Sequence, residues 1–218
     1  MKRISALLFT AALLFALAAC AGNTPEGNTD SESSASAVRS AAPNGTESET
    51  DKQTSESTDD QKSVLVVVFS ATGTTKGVAE KIAAIENADL YEIKAAQEYT
   101  SDDLNWNDRN SRSTKEQDDS SSRPEIGSER ISLDGYEKIY IGFPIWWGEE
   151  PRIMDTFVES YDFDGITMVP FCTSSSSGIG RSGKSLADNA KSGDWLDGKR
   201  FPGSVSESEL RDWIDGLK

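Results

Sequence analysis

The 218-residue sequence contains no histidine. That removes the commonest general base and metal ligand, and with them histidine-based triads and most zinc sites. Only two cysteines occur, Cys20 and Cys172, far apart and in segments of different character, so no disulfide framework can be read. Basic residues are scarce: 22 Lys and Arg against 37 Asp and Glu leave a formal net charge of −15. Nucleic acids and anionic membrane surfaces require basic patches, which argues against both as partners. The acidic surface serves equally to attract a basic redox partner or simply to keep the protein soluble. Long apolar runs are also missing. The longest, Ile4 to Leu17, has about 14 residues where about 20 are needed to span a bilayer.

What is present divides into three parts. Met1-Lys2-Arg3 and the apolar run after it form the basic start and core of a signal peptide. The run ends in Leu17-Ala18-Ala19-Cys20, which resembles the lipobox of bacterial lipoproteins, where the cysteine is acylated and begins the mature chain. The resemblance implies an extracytoplasmic protein, lipid-anchored to a bacterial membrane through Cys20. Each buried methylene of the acyl chains contributes roughly 0.8 kcal/mol. An ordinary secretory signal with a chance cysteine is the alternative. Residues 21–62 are rich in Ser, Thr, Asp and Glu, as in Thr54-Ser55-Glu56-Ser57-Thr58-Asp59-Asp60. Such a segment buries too little apolar area to offset its ordering entropy and reads as a disordered polar tether. Residues 63–218, roughly 155 in number, suffice for one folded domain.

In that domain strand-like and helix-like blocks alternate. Val64 to Phe69 is a continuous β-branched run, as in a strand covered on both faces. Val78, Ile82 and Ile85 follow at helical spacing, then Leu90-Tyr91-Glu92-Ile93 as a second strand. Lys94 to about Leu133 is polar and too long for an ordinary connection, which marks it as functional or partly ordered. Lys138 to Phe143 predicts a third strand, and Ile166 to Phe171 a fourth. Between these two lies a helix opened by Pro151, with Met154, Phe157, Val158 and Tyr161 in one stripe. A weak fifth strand surrounds Arg200-Phe201. The last helix carries Leu210, Trp213, Ile214 and Leu217 on one face, with Ser206 and Glu209 as a capping box. This alternation implies a parallel sheet with helices on both faces and ligands at the carboxyl ends of its strands.

Three loops leave those ends. The first strand runs into Ser70-Ala71-Thr72-Gly73-Thr74-Thr75, where hydroxyls and free amides at a helix start make an anion site. It lacks the Gly-Lys-Ser/Thr of a P-loop and the Gly-x-Gly-x-x-Gly of a dinucleotide site. A phosphate monoester fits it; so does the plainer reading as a well-capped turn. The third strand runs into Pro144-Ile145-Trp146-Trp147-Gly148, and each tryptophan can either stack on a planar ring or pack under the next helix. The fourth leads to Cys172-Thr173-Ser174-Ser175-Ser176-Ser177-Gly178, a hydroxyl-rich loop of small residues. With no basic neighbour, Cys172 reads as a small buried residue rather than a reactive thiol.

Ser70, Thr72, Gly73 and Thr75 match the flavodoxin pattern Ser/Thr-x-Thr-Gly-x-Thr, and the chain resembles that family over about residues 63–217. It is most similar to a subgroup with Pro-Ile-Trp-Trp-Gly, Phe-Cys-Thr-Ser-Ser and an Arg…Glu…Arg-Pro pattern, here Arg112, Glu116, Arg123 and Pro124. The resemblance implies a doubly wound open parallel α/β sheet of five strands, in the order 2-1-3-4-5, between two helical layers. It implies FMN as cofactor: phosphate on Ser70, Thr72, Gly73, Thr74 and Thr75, and the ring along Pro144–Gly148 with Trp146 at the position that often stacks. Thr173, Ser174, Ser175, Ser176 and Gly178 would meet the pyrimidine end.

Two redox roles then stand open, a carrier docking a partner protein and a reductase passing electrons from a nicotinamide to quinones or similar small acceptors. The segment Tyr99–Pro124, able to wall off a pocket, favours the second, and the lack of a nicotinamide motif favours the first. A non-redox lipoprotein binding another phosphorylated ligand is a third reading, disfavoured by the paired tryptophans. A receiver domain needs a phospho-acceptor Asp where this chain has Pro-Ile-Trp-Trp. Because neither flavin-side loop carries a cation before Arg152, a low potential for the final reduction step is expected.

Overall fold

The computed structural model describes residues 63–217. The expectations for residues 1–62, Cys20 among them, lie outside the described residues. The elements run β1 (Val64–Phe69), α1 (Thr74–Glu86), β2 (Asp89–Ile93), α2 (Arg112–Asp118), β3 (Lys138–Pro144) and α3 (Arg152–Glu159). They continue with β4 (Thr167–Thr173), α4 (Ser182–Ala190), β5 (Asp194–Trp195), β6 (Lys199–Phe201) and α5 (Glu207–Asp215).

All strand pairs are parallel, in the order β2-β1-β3-β4-β5, with β6 also beside β4. Alternation along β1 explains the three layers. Leu65, Val67 and Phe69 join the core under α3 and α4, while Val66 and Val68 face α1 and α5. On the α1/α5 side, Val78, Ile82, Leu210 and Ile214 are buried, so the predicted helical stripes do meet the sheet. Ser206 caps α5 by accepting the Glu209 amide at 3.2 Å.

The fifth strand is faint because it is broken. β5 and β6 share one position beside β4, interrupted at Leu196–Gly198. The Leu196 amide bonds the Met168 carbonyl at 2.9 Å, so alternate groups of β4 starting from Met168 face this edge. Pro170 is the next such residue, and its missing N–H falls at the interruption. Three differences from the sequence reading bear on function. β4 extends through Cys172 and Thr173, α4 is added, and the long polar stretch contains the short helix α2.

Candidate functional site

Gly73 ends the turn from β1 with φ of 83°, a conformation that favours glycine, and its carbonyl accepts the Gly77 amide at 3.0 Å. A Cβ there would meet nothing within 4 Å, so the space beside it is open to a ligand. Thr72 and Thr74 are exposed with hydroxyls 3.4 Å apart, flanking the free amides of the α1 start. Thr75 is buried instead, and its hydroxyl shares a 2.8 Å hydrogen bond with that of Thr173. This bond ties the first loop to the end of β4. The Ser70 Oγ is buried with no hydrogen-bond partner.

The loop after β3 closes on itself. Trp146 and Glu149 exchange backbone hydrogen bonds of 2.9 and 3.0 Å around Trp147 and Gly148, at φ 49° and 88°. Both central residues at positive φ is the mark of a type I′ turn, which favours Asn-Gly. Tryptophan in its first position costs on the order of 1–2 kcal/mol. The strain lifts Trp147 into solvent, 44% exposed. Trp146 is the packed member of the pair, edge-on to Phe69 at 5.6 Å and to Tyr99 at 5.1 Å. The resemblance puts Trp146 at the stacking position with Trp147 as its packing alternative; in the structure Trp146 is the one that packs and Trp147 the one exposed.

Tyr99 belongs to the long segment between β2 and β3, whose order rests on charged pairs. Its hydroxyl donates to Glu116 at 2.6 Å, Arg112 bonds the same carboxylate at 2.7 Å, and the Arg112 guanidinium lies 4.0 Å over the Tyr99 ring. Burial, and then the Glu116 carboxylate, push the Tyr99 phenol well above its ordinary value. Farther on, Arg123 forms a two-pronged pair with Glu159 of α3 at 2.8 and 2.7 Å. The Pro124 carbonyl accepts from Thr156 at 3.0 Å. The Arg…Glu…Arg-Pro pattern is therefore the clamp that seats this segment. Buried Gln117 completes it, donating to the carbonyls of Trp146 at 3.0 Å and Glu150 at 3.2 Å.

The serine loop after β4 is held by a side chain that sequence reading missed. Arg200 of β6 donates to the Ser174 carbonyl at 2.5 Å, the Ser175 carbonyl at 2.7 Å and the Ser174 hydroxyl at 3.2 Å. The register Cys172↔Arg200 places it there. Its only sequence signal was membership of the weak fifth strand. Arg200 lines the cleft, so the two loops themselves lack a cation but the site does not. The expectation of a low potential rests on those two loops and on the acidic chain, and Arg200 adds one cation beside them. Cys172 is buried, and burial pushes its thiol up to about 12, in keeping with the packing role.

These loops enclose a cleft of ≈ 500 Å³ between Thr72 and Thr74 on one side and Pro144, Ile145 and Trp146 on the other. Thr173, Ser174, Ser175 and Ser176 form its floor, with Arg200 beside them. A second lobe of ≈ 580 Å³ opens from it, sharing Thr72, Ile145, Trp146 and Ser175 and adding Trp147, Leu104 and Trp106. Of the predicted residues, Gly73, Thr75, Gly148 and Gly178 line neither space, and Ser70 faces a separate ≈ 310 Å³ cavity beside β2. Gly73 shapes the turn, Thr75 braces it and Gly148 closes the aromatic turn. A Cβ at Gly178 would meet only the Gly180 amide nitrogen, at 4.0 Å.

Behind the aromatic turn lies a buried polar cluster. Asp155 accepts from Asn189 at 2.9 Å and lies 3.7 Å from Arg152 and 4.0 Å from Arg123. Burial, reinforced by the Glu150 charge, still raises its carboxyl to about 6.

The chain matches the flavodoxin family model over residues 63–217. It is similar to a protein of Bacteroides uniformis assigned as a flavoprotein, with 45% identity, 70% of this chain and 97% of that chain covered, and a TM-score of 0.67. A counterpart from Bacteroides eggerthii gives 43% identity over 71% and 96% of the two chains, with a TM-score of 0.67. A Lactobacillus acidophilus flavoprotein solved in complex with FMN gives 25% identity over 70% and 99%, with a TM-score of 0.54. No curated protein matches the chain. A family model spanning the whole described domain, on a sheet with that family's strand order, leads to one conclusion: the chain belongs to the flavodoxin family.

Proposed function

We propose that this domain binds FMN non-covalently in the cleft and transfers electrons through it, outside the cytoplasm, on a lipid anchor at Cys20. The observation that carries the reading is the convergence on one cleft of an open glycine turn at a helix start, a hydroxyl-rich loop and a tryptophan turn. Thr72, Thr74 and the α1 amides suit a phosphate. Ser174 to Ser176 offer donors of little bulk, and Trp146 offers an apolar wall beside them. The relative solved with FMN supports the same ligand. When bound, the flavin supplies the redox chemistry, while these residues hold it and control access.

A second reading, a reductase of small acceptors, is favoured by the lobe that Leu104 and Trp106 wall off beside the cleft. A carrier that docks a protein over the flavin edge has no use for such a lobe. On either reading the redox partner is a protein or a small acceptor, and the membrane is met only through the lipid.

The similarity covers 97% of the B. uniformis chain, which supports using residues 63–218 as a fragment. The test is to titrate the 63–218 fragment with FMN. One equivalent is expected to quench tryptophan fluorescence and leave a bound flavin spectrum. Absence of both would remove the redox reading. For the anchor, Cys20→Ser is expected to move the protein from the membrane to the soluble fraction; unchanged membrane association would refute lipidation at that residue.

A further inference from the structure

We infer that Asp155 is a proton-operated latch on the tryptophan turn, acting through Arg152 at the start of α3. The latch governs one wall of the proposed cofactor site and rests on the FMN reading only for what that wall serves. None of the residues that form it lines the cleft or its second lobe. Asp155 is 1% exposed, and it takes its hydrogen bond from a neutral group, the Asn189 amide of α4 at 2.9 Å. Two guanidinium groups face it without closing on it, Arg152 at 3.7 Å and Arg123 at 4.0 Å. Both spend their short bonds elsewhere. Arg123 grips Glu159 at 2.8 and 2.7 Å, and Arg152 donates to Glu149 at 2.8 Å and to the Gln117 carbonyl at 3.1 Å. A neutral carboxyl accepts that arrangement. An ionised one in the same buried place draws the cations in, because an unpaired buried charge is costly.

Arg152 is where the two states reach the turn. Its partner Glu149 closes the turn through backbone bonds with Trp146. Its other partner, Gln117, braces the carbonyls of Trp146 and Glu150. The Arg152 Nε is buried with no hydrogen-bond partner, a cost that a second arrangement of this side chain can relieve. The remaining charges around the cluster leave Asp155 as its titrating member. Glu150 faces it from the loop before α3, and Asp119 lies near both arginines from the long segment. On the α4 side Lys191 lies near Glu159, while Lys184 and Asp188 pair with each other at 2.7 Å. Burial and the Glu150 charge raise the Asp155 carboxyl to about 6. Below that pH Asp155 is neutral and Arg152 stays on the turn. Above it the carboxylate competes for Arg152, and the turn loosens.

The test is NMR of the full-length chain carrying isotope-labelled tryptophan, without FMN, from about pH 4.5 to about pH 7.5. All five tryptophans lie among the described residues, and Trp146→Phe and Trp147→Phe assign the two signals of the turn. The Trp146 amide is expected to shift with a midpoint near pH 6. Across that midpoint it should lose about threefold or more of its hydrogen-exchange protection, after correction for the intrinsic rate. In Asp155→Asn the shift should vanish and protection should hold at its acid level throughout. Asn189→Ala keeps the carboxyl but removes a donor that favours its ionised form, so the midpoint should move upward. That variant decides the matter if Asp155→Asn does not fold. A Trp146 amide that stays flat over this range, or a midpoint unmoved in the variants, would overturn the inference. With no FMN present, these outcomes are independent of the FMN titration, which tests the cofactor reading alone.

Discussion

The two loops that flank the cleft are secured in the same way by opposite means. In each, one side chain from a distant segment donates to two loop carbonyls. Gln117 holds those of Trp146 and Glu150, and Arg200 holds those of Ser174 and Ser175. Gln117 is buried and neutral, and the turn it braces is strained and aromatic. Arg200 is half-buried and charged, and its loop is small, hydroxylated and exposed. The difference follows from surroundings. A buried neutral donor avoids the desolvation cost of a charge, whereas a guanidinium fork near solvent spans two carbonyls at little such cost. One flank is thereby tied to the stability of the fold, and the other to the properties of the site.

Substitutions can break or sharpen that contrast. The largest effect is expected for Gln117→Leu, which leaves the Glu150 carbonyl without its donor and the Trp146 carbonyl with the Glu149 amide alone. A loss of roughly 3 kcal/mol in urea unfolding is expected, at the desolvation cost of such groups. A loss below about 1 kcal/mol would show that water takes over the bracing.

Next comes Asp155, behind the same turn. Its carboxyl is raised from 3.8 to about 6, chiefly by burial. The folded state therefore binds the proton more tightly than the unfolded chain. The contribution of this group to stability is greatest below about pH 4 and falls as pH rises toward 6. Two units correspond to on the order of 3 kcal/mol. In Asp155→Asn the stability difference from the parent should shift in the variant's favour by up to that amount between pH 4 and pH 7. A pH-independent difference would mean that Arg152 and Arg123 compensate fully for burial.

Trp147→Asn should stabilise the domain by about 1 kcal/mol, because asparagine suits the first position of a type I′ turn. A thermal midpoint that falls would deny the strain. On the other flank, Arg200→Lys keeps the charge and loses the fork. FMN affinity should drop about tenfold, the scale of one charge-assisted hydrogen bond, with unfolding changed by less than about 0.5 kcal/mol. If FMN affinity holds, the charge matters and the fork does not.

Much of this was legible in the chain, for definite reasons. The runs Val64–Phe69 and Lys138–Phe143 are mostly β-branched or aromatic and, past their first residues, buried on both faces, so short-range pattern alone reveals them. Ser70 to Thr75 is contiguous, and its glycine sits where φ must be positive. The reading failed wherever a role depends on residues distant in sequence. α4 was missed because Ser182–Ala190 is polar along most of its length and buries mainly Leu186 and Ala190. The fifth strand was faint because Pro170, on its neighbour, breaks the ladder there.

The sequence by itself determined the strand–helix alternation, the phosphate-type turn and the presence of two tryptophans at a strand end. These are properties of neighbouring residues, set by periodicity, propensity and φ. Only the tertiary structure decided that Trp146 packs while Trp147 is presented, that Thr75 spends its hydroxyl on Thr173, and that Arg200 puts a cation at the site. Each of those depends on which strands lie side by side and on what the long segment after β2 covers. No local pattern encodes a contact between residues 98 positions apart, such as Thr75 and Thr173.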